Sequence, residues 1–184
     1  MKTDTNIFFK IRQNWNITTE QAFSQQKNFN SISGIKVDIL KDKFNILNIE
    51  QTKDGFEKIT VHKNDVKNCL SFMKNSGEFA VDMLLSITAA DLTNKIELTY
   101  HLYSSKLNKH YFITINTDSN NPVTESVSAI FKSAVFDERE IFDLFGVSFE
   151  GLKNTKRLIM PDFAIGHPLL KIYKNSDKRL NWNE

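Results

Sequence analysis

The middle of the chain alternates apolar and polar residues with the two-residue period of β-strands. Three stretches follow this pattern, at 79–88, 96–103 and 111–115. The second places four apolar side chains on one face: Ile96, Leu98, Tyr100 and Leu102. Because the connections between the stretches are short and polar, they favour antiparallel neighbours. We therefore predict a sheet with one buried face, which helices must cover.

Helical periodicity occurs on both sides of this predicted sheet. Before it, the spacing i, i+3, i+4, i+7 predicts a helix that Gly77 ends. Its apolar stripe consists of Val66, Cys69, Leu70 and Met73. After it, apolar spacing predicts one helix over 123–135 and another over 138–145, with Gly146 as the residue that releases the chain.

The amino-terminal third gives weaker signals. A capping box from Thr18 to Gln21 predicts a short helix. Residues 34–39 alternate like a half-buried strand, and 44–49 and 59–61 are read as two further strands. The whole pattern predicts an α+β domain over residues 1–146, with a mainly antiparallel sheet packed on helices.

Regular periodicity stops after Gly146. Two prolines and two glycines interrupt residues 147–184: Gly151, Pro161, Gly166 and Pro168. The same segment is nevertheless rich in large apolar side chains, each worth about 1.5–3 kcal/mol when buried. They need cover from the domain itself or from another chain, and we favour another chain. We therefore predict that residues 147–184 form an extended, irregular, partner-docking tail.

Composition narrows the possible functions. The chain has 184 residues, with 24 Lys and Arg against 22 Asp and Glu. Because phosphate binding depends on a basic surplus, this balance argues against a nucleic-acid partner. No apolar run approaches the roughly 18 residues of a membrane span, so none is predicted. The single cysteine, Cys69, excludes an internal disulfide and an iron–sulfur cluster of the chain's own, and we interpret it as a core residue.

The densest polar cluster is the run DEREIFD at 137–143. As a metal site, Glu140 and Asp143 share a helical face, but di-iron sites draw such ligands from four helices. As an ion-pair cluster, Arg139 can reach Asp143 at i, i+4, and Glu138, Glu140 and Asp143 can receive cations from elsewhere. We favour the ion-pair interpretation.

Other chemical motifs are missing from the sequence. The four histidines, His62, His101, His110 and His167, fit no metal-ligand spacing. Glycine-rich dinucleotide or phosphate loops and a nucleophile elbow do not occur. We therefore predict no standard nicotinamide or flavin site.

One long segment resembles a known family. Residues 134–151 read AVFDEREIFDLFGVSFEG, which is similar to the signature of the 30-kilodalton subunit of respiratory complex I. That family includes a subunit of bacterial NADH-quinone oxidoreductase and the mitochondrially encoded NADH dehydrogenase subunit 9. The resemblance covers about residues 79–173 and continues in four shorter stretches: 87–91, 97–102, 156–159 and 166–171.

Two positions depart from the family pattern. Leu152-Lys153 replaces His-Pro, and Leu170 replaces an arginine. We therefore assign neither Leu152 nor Leu170 a role.

The resemblance implies a non-catalytic structural subunit in the peripheral arm of proton-pumping NADH:ubiquinone oxidoreductase. Such a subunit packs against the 49-kilodalton subunit and holds no cofactor or metal of its own, since NADH, FMN, iron–sulfur clusters and quinone belong to other subunits. It also implies structural or interface roles for ten residues: Glu138, Arg139, Glu140, Asp143, Gly146, Arg157, Gly166, Pro168, Leu169 and Lys171.

Two alternatives remain open. The first is a related subunit of a plastoquinone reductase or a membrane-bound hydrogenase. The second is a carboxylate-metal enzyme that uses Glu138, Glu140, Asp143 and His167.

For localisation, the amino-terminal stretch lacks the pattern of a secretory signal or a transit peptide. Together with the abundance of Lys, Asn, Ile and Phe, this leads us to expect a peripheral protein on the matrix side of the mitochondrial inner membrane. The alternative is the cytoplasmic face of a bacterial plasma membrane.

Overall fold

A five-stranded sheet forms the centre of the computed structural model, which describes residues 34–52 and 56–174. The strands are β1 Ile46–Gln51, β2 Glu57–Val61, β3 Met83–Asp91, β4 Lys95–Ser104 and β5 Lys109–Asp118. They lie in the order β1-β2-β5-β4-β3, and only the β2–β5 pair is parallel. This mainly antiparallel α+β arrangement confirms the predicted fold class.

Three α-helices, a short 3-10 helix at Lys63–Asp65 and a small second sheet complete the described fold. The helices are α1 Gly34–Lys43, α2 Val66–Asn75 and α3 Ala134–Phe145. The second sheet pairs β6 Val123–Glu125 with β7 Ser148–Glu150 in parallel. In the described part of the chain, none of the helices has the length and apolar character needed to cross a lipid bilayer.

One core lies between the inner face of the sheet and the helices. As predicted, β4 turns its four apolar residues inward and α2 buries its apolar stripe. Burial, together with the nearby charge of Asp65, raises the pKa of the Cys69 thiol to about 12. Cys69 is therefore a core residue, as we inferred. The helix α2 ends at Asn75 with Ser76 as its cap, directly before Gly77, the residue that the sequence predicted to end it.

Two secondary-structure predictions are wrong. Residues 34–39 belong to α1 and not to a strand, because a short apolar run fits both periods and Val37 and Leu40 enter the core one helical turn apart. Of the predicted helix over 123–135, residues 123–125 form β6, residues 126–133 form turns, and only the last two belong to a helix, α3. The helical spacing of this stretch arose because Val127 and Phe131 reach the core from those turns. The predicted capping box at 18–21 lies outside the described residues.

The carboxyl-terminal segment is irregular, as predicted. After β7, residues 151–174 form turns and bends without a helix or strand. This segment passes the end of α3, where the backbone N–H of Leu169 donates to the carbonyl of Leu144 at 3.0 Å. It then reaches the end of β3, where the N–H of Lys171 donates to Asp91 at 2.8 Å. The tail is therefore anchored to the domain at two separate elements.

Candidate functional site

The first half of α3 is fixed to the domain by two carboxylates. Glu138 is buried and accepts hydrogen bonds from the Ser126 hydroxyl at 2.6 Å and the Val127 N–H at 2.7 Å. Burial raises the pKa of Glu138, although both bonds oppose that rise. We expected Glu138 to receive a cation, but its partners in the described chain are an uncharged hydroxyl and a backbone N–H. Glu138 therefore holds the turn after β6 against α3.

Asp137 attaches the same helix to the edge of the main sheet. Its carboxylate accepts the N–H of Ile87 at 2.8 Å, and Ser133 donates to the carbonyl of Leu84 at 3.2 Å. Because β3 is an edge strand, these bonds occupy backbone groups that would otherwise be open. We assigned no role to Asp137 from the sequence. No spacing along the helix points to this contact, because the donor lies 50 residues earlier in the chain.

Asp143 is the centre of the site. Its buried carboxylate accepts from Arg157 Nη1 at 2.8 Å and from three consecutive N–H groups, of Leu158 at 3.0 Å, Ile159 at 2.7 Å and Met160 at 2.8 Å. Burial favours the protonated form, but the N–H bonds of Met160 and Ile159, then Arg157, outweigh it and lower the pKa of Asp143. The charged carboxylate therefore holds the tail backbone to the end of α3.

Arg157 and His167 complete what we call the Asp143 lock, which consists of Asp143, Arg157, Gly166 and His167. Arg157 Nη2 donates to the carbonyl of Gly166 at 2.9 Å, and His167 Nδ1 lies 2.9 Å from the carbonyl of Asp143. The lock thus joins α3 to two tail positions that are separated by nine residues along the chain. His167 entered the sequence reasoning only as a metal ligand, and its contact with the helix end was missed.

Arg139 does not pair with Asp143 as the sequence predicted. Its guanidinium donates instead to the carbonyls of Lys156 and Arg157, at 3.3 to 3.4 Å. The helical spacing allowed the predicted pair, but the acceptor sites of Asp143 are occupied by the tail. Arg139 therefore adds a second and weaker attachment of the same tail segment, while Glu140 on this helix is exposed.

Gly146 ends α3 in the left-handed conformation, with φ of 76°, as expected for the predicted helix end. A Cβ atom there would lie 2.6 Å from Cδ2 of His167. The lock therefore also requires a residue without a side chain at position 146. Gly166 has φ of 82° and would place a Cβ atom 3.1 Å from the ring of Tyr173. Both glycines allow close passage of the chain.

The tail presents an apolar outer surface. Six of its large apolar side chains are exposed, and we call them the tail surface: Leu158, Ile159, Phe163, Ile165, Leu169 and Ile172. Ile165 is 84% exposed and Ile172 is 81% exposed. By contrast, Leu152 and Leu170 pack against the core, and Pro168 is half-buried. The domain therefore buries part of the tail and leaves these six side chains between 39% and 84% exposed.

The metal-enzyme alternative finds little support in this geometry. The carboxylate of Asp143 is already saturated with donors, and Glu138 is directed to Ser126 and Val127. Within 34–52 and 56–174, no group of three His, Cys, Asp or Glu side chains is placed to hold a metal ion. His101 and His110 form a hydrogen-bonded pair at 2.8 Å on β4 and β5, away from the lock.

Comparison with known sequences agrees with the resemblance. The sequence model of the family described as "Respiratory-chain NADH dehydrogenase, 30 Kd subunit" matches residues 59–179. A relative from Trichlorobacter lovleyi, named as a subunit of NADH-quinone oxidoreductase, is 35% identical over 144 residues, or 74% of this chain and 86% of that protein. A probable mitochondrial 30.4 kDa subunit of NADH-ubiquinone oxidoreductase from Candida maltosa is 35% identical over 61% of this chain and 42% of that protein. The chain spans 27% and 64% of the lengths of two further bacterial relatives.

Two solved structures share the fold. One is a chain of the membrane-bound sulfane sulfur reductase, an archaeal respiratory membrane complex, with a TM-score of 0.56 and 28% identity over 68% of this chain and 72% of that one. The other is a trypsin-resistant fragment of Nqo5, with a TM-score of 0.57 and 22% identity over 65% of this chain and 96% of that one.

Proposed function

The chain belongs to the family of the 30 Kd subunit of respiratory-chain NADH dehydrogenase, and from this membership we propose that it is a structural, non-catalytic core subunit of the peripheral arm of complex I, the proton-pumping NADH:ubiquinone oxidoreductase. Its contribution to catalysis is geometric. It braces the quinone-reducing module, so that the redox centres held by other subunits keep the spacing that electron transfer needs.

The tail surface is the observation that carries this proposal. Its six exposed apolar side chains lie on a segment without secondary structure, and exposed apolar patches of this kind mark interaction sites. We propose that residues 147–184 dock on the 49-kilodalton subunit. Because the Asp143 lock holds the tail backbone before docking, less conformational freedom is lost when the partner binds.

The chemistry of the chain supports a role without electron carriers. Cys69 is the one cysteine, and its buried thiol, with a pKa raised to about 12, is unsuited to bind a cluster as thiolate. We therefore propose that NADH, FMN, the iron–sulfur clusters and quinone are bound by other subunits. The proposed location is the matrix side of the mitochondrial inner membrane, with the cytoplasmic face of a bacterial membrane as the alternative.

A second candidate has the same fold but belongs to a different complex, as a related subunit of a plastoquinone reductase or a membrane-bound hydrogenase. The similarity to a chain of the membrane-bound sulfane sulfur reductase favours this alternative, because the same fold serves in a respiratory complex with another substrate. The two candidates differ in the large subunit that accompanies the chain after gentle solubilisation and native separation, and in whether the complex oxidises NADH with quinone as acceptor.

Removal of the chain from its own cells tests the proposal. We expect loss of the assembled complex on native gels and loss of NADH:quinone reductase activity in membranes, with both restored by the wild-type chain. The Arg157→Ala variant should restore less assembled complex than Arg139→Ala, since the bonds of Arg157 are shorter and reach a buried carboxylate. Complex that assembles fully with either variant but is inactive would refute the structural role.

A further inference from the structure

The tail carries a concentrated positive charge. Residues 151–174 contain four lysines and one arginine against a single aspartate, whereas the whole chain has a net charge of only +2. Arg157 is used by the Asp143 lock. The four lysines, Lys153, Lys156, Lys171 and Lys174, are all exposed. Among the described residues Lys171 lies near the carboxylate of Asp91, and the other three form no salt bridge.

These lysines lie towards the two ends of the tail surface along the chain, and none lies between Leu158 and Leu169. Lys156 precedes Leu158 and Ile159, and Lys171 and Lys174 flank Ile172. A surface of this composition fits a partner that offers negative charge around apolar pockets, because opposite charges guide the encounter and apolar burial holds the complex.

The backbone of the tail favours a protein over a lipid surface. Peripheral membrane segments are usually amphipathic helices, whose N–H and carbonyl groups are paired internally. Residues 151–174 form no helix, and the Asp143 lock fixes them in an irregular path. Such a path can match a shaped protein surface, whereas a bilayer favours segments whose backbone groups are paired within a helix.

We propose that the tail surface docks on an acidic face of a partner protein, with apolar pockets for Ile165 and Ile172 and carboxylates opposite Lys156 and Lys174. This inference rests on the proposed function and adds the chemistry of the docking partner. It assigns the lysines to the rate of association and the isoleucines to the lifetime of the complex.

The probe is the peripheral-arm subcomplex isolated from cells that lack this chain, and the ligand is the full-length chain in a biosensor experiment. The charge variant is Lys156→Glu/Lys174→Glu. The matched control is Lys106→Glu/Lys132→Glu, which reverses two exposed lysines outside the tail. A second variant, Ile165→Ser/Ile172→Ser, changes side chains that are more than 80% exposed, so its folding should be unaffected.

At about 0.1 M salt we expect the charge variant to associate on the order of tenfold more slowly than the wild-type chain, with the control within about twofold. At about 1 M salt this difference should nearly disappear. The serine variant should associate at a normal rate and dissociate at least about tenfold faster.

Equal association rates of the charge variant and its control would overturn this inference but leave the proposed function intact, provided that the wild-type chain binds and restores quinone reduction. Failure of the wild-type chain to do both would overturn both proposals. Lysine-dependent flotation of the full chain with phosphatidylglycerol vesicles, without an effect of the lysines on the subcomplex, would replace the protein partner by a membrane surface.

Discussion

Replacement of Asp143 by asparagine tests whether one buried carboxylate holds the tail to the domain. Asparagine keeps the size of the side chain but loses the charge and one acceptor oxygen. Oδ2 of Asp143 accepts all three N–H groups of Leu158, Ile159 and Met160, and Oδ1 accepts Arg157. The variant must therefore leave donors unpaired at one of these two positions.

The size of the effect follows from burial and charge. Removal of one partner from a buried ion pair costs about 3–5 kcal/mol, and a hydrogen bond to a charged group is worth about 1.5–3 kcal/mol. Since the Arg157 side chain remains 18% exposed, part of its loss is recovered by water. We expect the free energy of local opening of the tail to fall by about 3 kcal/mol, which corresponds to about a hundredfold increase in opening.

Hydrogen exchange of the full-length chain measures this opening directly. The N–H groups of Leu158, Ile159 and Met160 should lose about a hundredfold in protection, while those of β4 should be unchanged. Asp162→Asn is the matched control, because Asp162 is an exposed aspartate on the same tail. Protection of the three N–H groups within about twofold of wild type in Asp143→Asn would refute the role of the lock.

Three further changes test other parts of the structure. Gly146→Ala should lower the thermal stability more than Gly151→Ala. Both glycines have positive φ, but only alanine at position 146 would place a Cβ atom against His167. Equal losses of stability in the two variants would contradict this close contact. Burial raises the pKa of Glu138 in the folded chain. The protonated side chain therefore contributes stability that is fully present below the ordinary glutamate pKa and is lost as the pH rises through the raised pKa of the folded chain. Glu138→Gln should therefore remove part of the pH dependence of urea unfolding above the ordinary glutamate pKa of about 4, and an unchanged pH profile would contradict the raised pKa. Cys69 should resist iodoacetamide at about pH 8 until the chain unfolds, because its thiol is buried with a pKa near 12, and rapid alkylation of the folded chain would disprove its core position.

The local elements with a strong period could be read from the sequence. The inward face of β4 and the buried stripe of α2 follow from periods of two and 3.6 residues, which say which side of an element is apolar. The left-handed Gly146 was equally readable, since glycine tolerates positive φ at a helix end. The error at 34–39 occurred because a short apolar run fits both periods, and the error at 123–135 arose because Val127 and Phe131 reach the core from turns.

The candidate site could be predicted only in part from the sequence. The family resemblance implied structural or interface roles for Asp143, Arg139 and Arg157, and helical spacing paired Asp143 with Arg139. In the fold, Asp143 is bound by Arg157 and by N–H groups 15 to 17 residues further along. No spacing rule predicts such partners, because they depend on how the tail crosses the helix end.

The sequence by itself determined the fold class, the buried faces of the strongest elements and the irregular, apolar character of the tail, because each depends on the order of apolar and polar residues along a short stretch. Only the tertiary structure decided which donors satisfy Glu138 and Asp143 and which tail side chains are exposed. A buried carboxylate must find donors, but several are chemically suitable, and the folded path of the chain selects among them.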